Sequence, residues 1–128
     1  AGHPASGEWD KHPVGLFGDT SEAEVRMRFA GLTNVAFHAG VIPATFAGLE
    51  ESVITFAHID VDQYQAVLDC LTFIYPRLSP GAHVILDDYL CASCPGAKRA
   101  VDEFMVGVPE ELMHAAGWPL VFFIKAPL

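Results

Sequence analysis

Two short segments, each ending in acidic residues, constrain the fold of this chain more than any other feature. Residues 53–59 form a largely apolar run that ends at Asp60, and residues 84–86 form a second that ends at Asp87 and Asp88. Strands joined by a helix are normally parallel, so both acidic ends are expected at the same carboxyl edge of one sheet. Open α/β sheets bind their ligands at that edge. The pattern therefore predicts a site for a hard cation.

A helical pattern lies between the two predicted strands. From Tyr64 to Tyr75 the apolar residues recur at intervals of three and four, which predicts a helix that ends near Pro76. The sequence Ser-Pro-Gly at residues 79–81 predicts a turn before a second strand at residues 83–86. The result is a strand–helix–strand unit, which we expect to be right-handed.

The rest of the chain predicts further elements of an α/β fold. A capping box formed by Ser21 and Glu24 indicates the start of a short helix, and Pro95 suits the start of another. The other predictions are a loop over residues 1–20, a short strand at 34–38, a loop with one helical turn at 40–51, and a C-terminal hairpin of residues 110–114 with 120–125. We therefore expect a mostly parallel sheet with an antiparallel hairpin at its end.

Composition limits the size of the protein and the kind of partner it binds. A chain of 128 residues that is 52% hydrophobic can bury one core. Its 7 Lys and Arg residues against 16 Asp and Glu residues give a net charge of -9. That charge argues against nucleic acid or an anionic membrane as a partner and favours small molecules and cations. An odd set of 3 cysteines, with no signal peptide or long apolar segment, predicts a cytoplasmic protein.

The acidic residues at the two strand ends are candidate metal ligands. Three carboxylates that converge on one point repel one another unless a cation offsets their charge. Asp60, Asp87 and Asp88 could therefore supply oxygen ligands to Mg²⁺. Taken singly, each is more simply a solvated strand end; their position on two strands of one unit favours a site. Asp62 is a further ligand, a general base or the N-cap of the following helix, and the N-cap is the favoured interpretation.

Two other features allow both a functional and a structural interpretation. Cys91 and Cys94 have the spacing of a zinc knuckle, but a tetrahedral site needs two further ligands and the sequence contains no second pair. Cysteines in a loop without metal are the favoured interpretation. His58 lies within an apolar strand, where a hydrogen-bonded core histidine is more common than a ligand.

Four blocks of sequence carry a family resemblance. They read HIDVDQY at residues 58–64, LTFIYPRLSPG at 71–81, VILDDY at 84–89 and PGAKRAVDEF at 95–104. In this order they resemble the macrocin O-methyltransferase family, with a likeness that runs from about Phe17 to the C-terminus. Enzymes of that family methylate sugar hydroxyls of macrolide antibiotics with S-adenosylmethionine and Mg²⁺. The resemblance implies a Rossmann-like class I methyltransferase fold and a small-molecule hydroxyl acceptor.

The resemblance also implies which residues bind the metal. Asp60, Asp87 and Asp88 match the family's metal-binding acids. The metal would hold substrate hydroxyls, lower the pKa of one of them and orient it for in-line attack on the sulfonium methyl group.

The catalytic base is less well defined by the resemblance. Related catechol-type methyltransferases carry a lysine three residues after the first metal-binding acid, whereas this chain has Gln63 there. Asp62 and His12 are the candidates for the base. His38 follows a predicted strand in the family's cofactor region and is a candidate for contact with S-adenosylmethionine, with an ordinary surface role as the alternative.

One part of such a fold is not identifiable in the sequence. Enzymes of this fold bind S-adenosylmethionine with a Gly-rich turn after the first strand and an acidic residue at the end of the second. Neither is found before Ser21. We therefore expect an incomplete fold without its first strands: one partial domain over residues 1–128, with a loop at 1–20 and the C-terminal part of the sheet at 21–128. The exposed sheet edge would favour a homo-oligomer.

Two alternatives to an active methyltransferase are compatible with the residues. A strand that ends in Asp-x-Asp also occurs in haloacid-dehalogenase-type phosphatases, where the first Asp is a nucleophile beside Mg²⁺. Against this interpretation, Tyr64 stands where that motif expects Thr or Val. The other alternative is a non-catalytic fragment that serves as an assembly module, which the missing cofactor loop favours.

Overall fold

Three helices and four strands are present in residues 7–13, 15–16 and 18–127, which are the residues that the computed structural model describes. In chain order they are α1 (Glu22–Arg28), β1 (Ile54–Ile59), α2 (Tyr64–Ile74), β2 (Leu78–Leu86), α3 (Pro95–Met105), β3 (Met113–His114) and β4 (Val121–Ile124). Short 3-10 turns occupy Ala44–Phe46, Tyr75–Arg77 and Asp87–Leu90. Part of the predicted N-terminal loop, residues 1–6, 14 and 17, lies outside the described residues.

The four strands form one mixed sheet in the order β1-β2-β4-β3. β1 and β2 are parallel, with α2 between them in the chain, which confirms the predicted strand–helix–strand unit. β4 runs antiparallel to β2 and to β3, which confirms the C-terminal hairpin. Within the described residues, the parallel part of the sheet is thus one pair of strands, smaller than predicted.

One face of the sheet is covered by helices. Side chains alternate across a strand, and Val84 and Phe123, which are paired on neighbouring strands, are both 0% exposed. They belong to a single hydrophobic core with residues of α2 and α3 such as Leu71 and Val101. On the opposite face, Phe56 is 59% exposed. The core therefore lies between α2, α3 and one side of the sheet.

Two local predictions about strands were wrong. Residues 34–38 form no strand, because none of the described strands pairs with them and β-propensity alone does not hold a strand in place. β2 begins at Leu78 rather than at His83 and includes the predicted turn. The register with β1 is irregular there, since Ile54 pairs with Leu78 but Phe56 pairs with His83. Gly81, with φ of 81°, accommodates this extra length of chain.

Three further predictions are confirmed. Ser21 and Glu24 form a capping box at the start of α1, and a helical turn lies within the loop before β1. Pro95 is the first residue of α3. No described helix is long and apolar enough to cross a membrane.

Candidate active site at the carboxyl edge of the sheet

Three carboxylates converge where β1 and β2 end. Ile59 and Leu86 are paired in the parallel register, so the acidic residues that follow them emerge side by side. One carboxylate oxygen from each of Asp60, Asp87 and Asp88 lies within 4.8 Å of the other two. The structure therefore brings together the three residues that the sequence predicts as metal ligands.

The negative charges of Asp60, Asp87 and Asp88, which we call the acidic cluster, repel one another. The pKa of Asp88 is raised to about 6, mainly by burial and also by the charges of Asp62, Asp60 and Asp87, while a hydrogen bond from the backbone N–H of Asp62 acts in the opposite direction. Partial burial of its carboxyl group, then the charges of Asp87 and Asp62, raise the pKa of Asp60, while His58 acts in the opposite direction. A bound cation would relieve this repulsion.

His58 projects to the acidic cluster and not into the core. Its Nε2 atom lies 3.0 Å from Oδ1 of Asp87, and its side chain is 46% exposed. The prediction of a core histidine was wrong, because His58 lies on the face of the sheet that no described helix covers. The ring orients Asp87 by a hydrogen bond.

Asp62 is not the helix N-cap that the sequence favours. The N-cap of α2 is Gln63, and Asp62 adopts a left-handed backbone conformation with φ of 59°. Asp tolerates this region better than most residues. The turn directs the backbone N–H of Asp62 to Oδ2 of Asp88, at 3.1 Å. Asp62 therefore remains available as a ligand or a base.

The cap of α2 comes from the N-terminal loop. Oδ1 of Asp10 accepts a hydrogen bond of 2.9 Å from the backbone N–H of Tyr64, a residue 54 positions away. Trp9 packs edge-on against the Tyr64 ring, with centroids 5.5 Å apart, and the guanidinium of Arg99 lies 4.3 Å from the centroid of the Trp9 ring. Gly96 permits this approach, since a Cβ atom there would lie 2.8 Å from Cδ1 of Trp9. Sequence reasoning missed these contacts because nothing local to residues 9–10 indicates them.

The same loop brings His12 to Asp62. Nδ1 of His12 lies 3.5 Å from Oδ1 of Asp62, and the two side chains are 17% and 24% exposed. The two residues predicted as catalytic candidates are thus neighbours beside the acidic cluster. His38, the predicted cofactor contact, is exposed in an irregular segment between α1 and β1.

Two free cysteines lie in the loop before α3, and one of them, Cys94, contacts Asp62. Sγ of Cys91 and Sγ of Cys94 are 3.2 Å apart, and the thiol of Cys94 donates to Oδ1 of Asp62 at 3.4 Å. Cys94 is 2% exposed. Hydrogen bonds from Ser93 and Cys94 lower the pKa of Cys91, whereas burial, followed by the hydrogen bond with Cys91, raises the pKa of Cys94.

Comparison with protein families identifies relatives over most of the described chain. The family model described as macrocin O-methyltransferase matches residues 8–123. Mycinamicin III 3''-O-methyltransferase of Micromonospora griseorubida is 34% identical over 120 residues, which cover 88% of this chain and 46% of that protein. Demethyldecarbamoylnovobiocin O-methyltransferase of Streptomyces niveus is 36% identical over 88 residues, or 66% of this chain and 33% of that protein.

Solved structures show the same fold. The O-methyltransferase NovP superimposes with a TM-score of 0.70 at 27% identity, over 98% of this chain and 57% of NovP. The calicheamicin methyltransferase CalS11 superimposes with a TM-score of 0.72 at 20% identity, over 96% of this chain and 56% of CalS11. The α/β fold described above is thus that of part of a methyltransferase. The chain spans less than half the length of the two curated relatives, with 46% and 33% covered.

Proposed function

Because this chain belongs to the macrocin O-methyltransferase family, we propose that it contributes the metal-binding and acceptor-activating part of an S-adenosylmethionine-dependent O-methyltransferase site. The observation that carries the proposal is the convergence of Asp60, Asp87 and Asp88 at the carboxyl edge of the sheet. This is the edge at which open α/β sheets bind ligands.

The acidic cluster fits Mg²⁺ by its chemistry. All three ligands are carboxylates, which a hard cation prefers, and the mutual repulsion of the three groups supports a bound positive charge. Bound there, Mg²⁺ would stabilise negative charge on a substrate hydroxyl oxygen and lower the pKa of that hydroxyl. His58 would hold Asp87 in place through the hydrogen bond between Nε2 and Oδ1.

We assign the proton-accepting role to Asp62, with His12 beside it. The backbone turn at Asp62 and the hydrogen bond from its N–H to Asp88 fix this residue next to the metal ligands. The acceptor hydroxyl would lose its proton to the Asp62 carboxylate, and its oxygen would bond to the methyl carbon. S-adenosylmethionine, when bound, would supply the methyl group as an electrophile and leave as the neutral thioether. His12, 3.5 Å from Oδ1 of Asp62, could then receive the proton.

The acceptor that we propose is a hydroxyl group of a sugar or another small polyhydroxylated natural product. The relatives from Micromonospora and Streptomyces are named as O-methyltransferases of mycinamicin III and of demethyldecarbamoylnovobiocin. S-adenosylmethionine as donor follows from family membership, and contact of His38 with it stays a prediction. A cytoplasmic location likewise stays a prediction.

Thermal denaturation with and without Mg²⁺ tests the metal assignment. At a Mg²⁺ concentration 100 times Kd, a bound ion should stabilise the folded wild type by about 2.7 kcal/mol. Asp87→Asn/Asp88→Asn should lose this effect. Asp19→Asn/Glu51→Gln, which removes the same charge from two exposed residues, should keep it. Equal stabilisation of all three proteins would contradict the assignment.

Calorimetric titration with S-adenosylmethionine tests whether the chain also holds the methyl donor. Binding would support the methyltransferase role, whereas no binding would be consistent both with a partial methyltransferase site and with an assembly module. In methyl-transfer assays, Asp62→Asn is expected to lower kcat about 100- to 10,000-fold, as the loss of a general base does. An unchanged kcat would exclude Asp62 as the base. Nothing in the geometry favours the phosphatase interpretation over methyl transfer.

Self-association is a further expectation. Within the described sheet, β1 pairs on one side only, and Phe56 on its open face is 59% exposed. An unpaired strand edge and exposed apolar residues promote association. Light scattering should show a dimer or larger species that Phe56→Lys weakens, and a monomer at all concentrations would contradict the expectation.

A further inference from the structure

Four side chains of mixed chemistry lie in successive contact beside the acidic cluster. They are Sγ of Cys91, Sγ of Cys94, Oδ1 of Asp62 and Nδ1 of His12. Successive atoms in this order are 3.2, 3.4 and 3.5 Å apart. We propose that these four residues form a second cation site, for Zn²⁺ or another divalent cation that binds thiolates.

The contacts between successive atoms have lengths close to those between the ligands of a tetrahedral site. Ligand atoms that lie about 2.0–2.3 Å from a tetrahedral Zn²⁺ are separated from one another by about 3.3–3.8 Å. The three contact distances are close to these edges. The ligand atoms of His12, Asp62 and Cys94 all lie within 4.8 Å of one another, whereas those of Cys91 and Cys94 form such a group with Asp88. Cys91 would therefore have to turn towards His12 and Asp62 to complete the site.

The ligand chemistry distinguishes this site from the acidic cluster. Thiolates and imidazole favour Zn²⁺, whereas carboxylates alone favour Mg²⁺. In the structure, the thiol of Cys94 donates to Oδ1 of Asp62. On binding, Zn²⁺ would form bonds to both sulfur atoms, and the two thiol protons would be released to solvent.

The four ligands come from three segments that are distant in sequence. His12 belongs to the N-terminal loop, Asp62 to the junction of β1 and α2, and the cysteines to the loop before α3. This explains why the Cys-x-x-Cys motif lacks partners in the sequence but not in the fold. A bound cation would link the three segments and stabilise the folded chain.

One consequence rests on the proposed function. A cation bound to Asp62 would occupy the carboxylate to which we assign the proton-accepting role, so Zn²⁺ is expected to inhibit methyl transfer. Binding itself doesn't depend on that role and can be measured without any activity.

Cobalt titration tests the site directly, because Co²⁺ replaces Zn²⁺ and reports on its ligands by absorption. The metal-free chain, kept reduced and in excess Mg²⁺, should bind one Co²⁺ with a thiolate-to-cobalt charge-transfer band and the visible bands of tetrahedral geometry. One equivalent of Zn²⁺ should abolish both signals.

Variants identify the ligands. Cys91→Ser and His12→Ala should each weaken binding by more than the roughly 100-fold that loss of an outer-shell partner costs. Cys70→Ala, which removes the free cysteine on α2, should bind as the wild type does. Asp60→Asn/Asp87→Asn should also retain the cobalt bands, which separates this site from the acidic cluster. Circular dichroism confirms that each variant is folded.

Three results would overturn the proposal. The first is an absence of the charge-transfer band in the folded, reduced wild type. The second is a band that persists in Cys91→Ser or in His12→Ala with unchanged affinity. The third is loss of the bands in Asp60→Asn/Asp87→Asn, which would place the bound ion in the acidic cluster. The Mg²⁺ denaturation experiment is independent of all three results.

Discussion

Two carboxylates in this protein are equally buried but have opposite electrostatic surroundings. Asp88, at the carboxyl edge of the sheet, and Glu110, before β3, are each 9% exposed. The pKa of Asp88 is raised to about 6, whereas that of Glu110 is lowered to about 2. Burial alone would raise both pKa values, so the lowered pKa of Glu110 arises from its neighbours.

The neighbours of Glu110 are hydrogen-bond donors. Burial raises its pKa, but hydrogen bonds from the Tyr75 hydroxyl at 2.6 Å, the Lys125 ammonium at 3.0 Å and the backbone N–H of Ala126 at 3.1 Å outweigh that effect. The ion pair and these donors fasten the chain after β4 to the end of α2. Glu110 therefore serves the fold.

Among the described residues, the carboxylate of Asp88 accepts a hydrogen bond from the backbone N–H of Asp62 and lies close to the carboxylates of Asp60 and Asp87 and to the thiols of Cys91 and Cys94. Such an arrangement destabilises a protein unless something else binds there. Groups with strongly shifted pKa values are concentrated at functional sites for this reason. The comparison teaches that burial does not separate a structural acid from a functional one, but the partners of the acid do.

The largest expected effect is on the structural side of the comparison. Glu110→Gln removes the negative charge that pairs with the mostly buried ammonium group of Lys125. The variant should therefore lower the free energy of unfolding by roughly 2–4 kcal/mol. Urea denaturation at neutral pH measures the change. Glu111→Gln, at an exposed neighbouring position, should change stability by less than about 0.5 kcal/mol. Similar losses in both variants would show that the ion pair and hydrogen bonds of Glu110 do not stabilise the fold.

The stability that Glu110 contributes should depend on pH, because its pKa is lower in the folded state. The folded-state pKa of about 2 lies below the ordinary value of 4.5, so the stabilisation is complete above 4.5 and is lost as pH falls towards 2. The difference in unfolding free energy between wild type and Glu110→Gln should therefore shrink over this window. A difference that stays constant down to pH 2 would contradict the pairing.

Asp88→Asn should act in the opposite direction to Glu110→Gln. Without divalent cations at neutral pH, the variant removes like-charge repulsion while an amide oxygen still accepts from Asp62, so stability should rise by roughly 1–2 kcal/mol. Asp19→Asn, an exposed control, should have little effect. Destabilisation by Asp88→Asn in the absence of metal would remove the contrast on which the site assignment depends.

The smallest effect concerns an acid whose partner is an uncharged backbone group. Asp10→Ala removes the cap of α2 and should cost about 1 kcal/mol, whereas Asp10→Asn keeps an oxygen acceptor and should cost less. Thermal denaturation compares the two. Equal losses would indicate that the charge of Asp10 matters more than its hydrogen bond to Tyr64.

Much of the fold follows from local patterns in the sequence. The apolar runs before Asp60 and Asp87, the helical spacing after Tyr64 and the capping box at Ser21 each specify one element, and the structure contains all of them. The meeting of the acidic strand ends also follows, because a parallel pair connected by a helix leaves no other arrangement.

The failures have a common cause, which is a partner distant in the chain. Residues 34–38 have the composition of a strand but no described neighbour to pair with. Asp62 is of a residue type that favours the N-cap and stands near the start of α2. The hydrogen bond to the first turn of α2 nevertheless comes from Asp10 in the N-terminal loop. In each case the hydrogen bonds available in the tertiary structure, rather than local propensity, decide the conformation of the residue.

The sequence by itself thus determined the strand–helix–strand unit, the family and the acids at the edge of the sheet, since these depend on periodicity and on residues close together in the chain. Only the tertiary structure decided the surroundings of those acids: His58 on Asp87, the turn at Asp62, and the meeting of His12 with Cys94 around it. The physical reason is that charge and hydrogen bonding act through space. Residues 12, 62 and 94 become neighbours only when the loop, sheet and helices pack together.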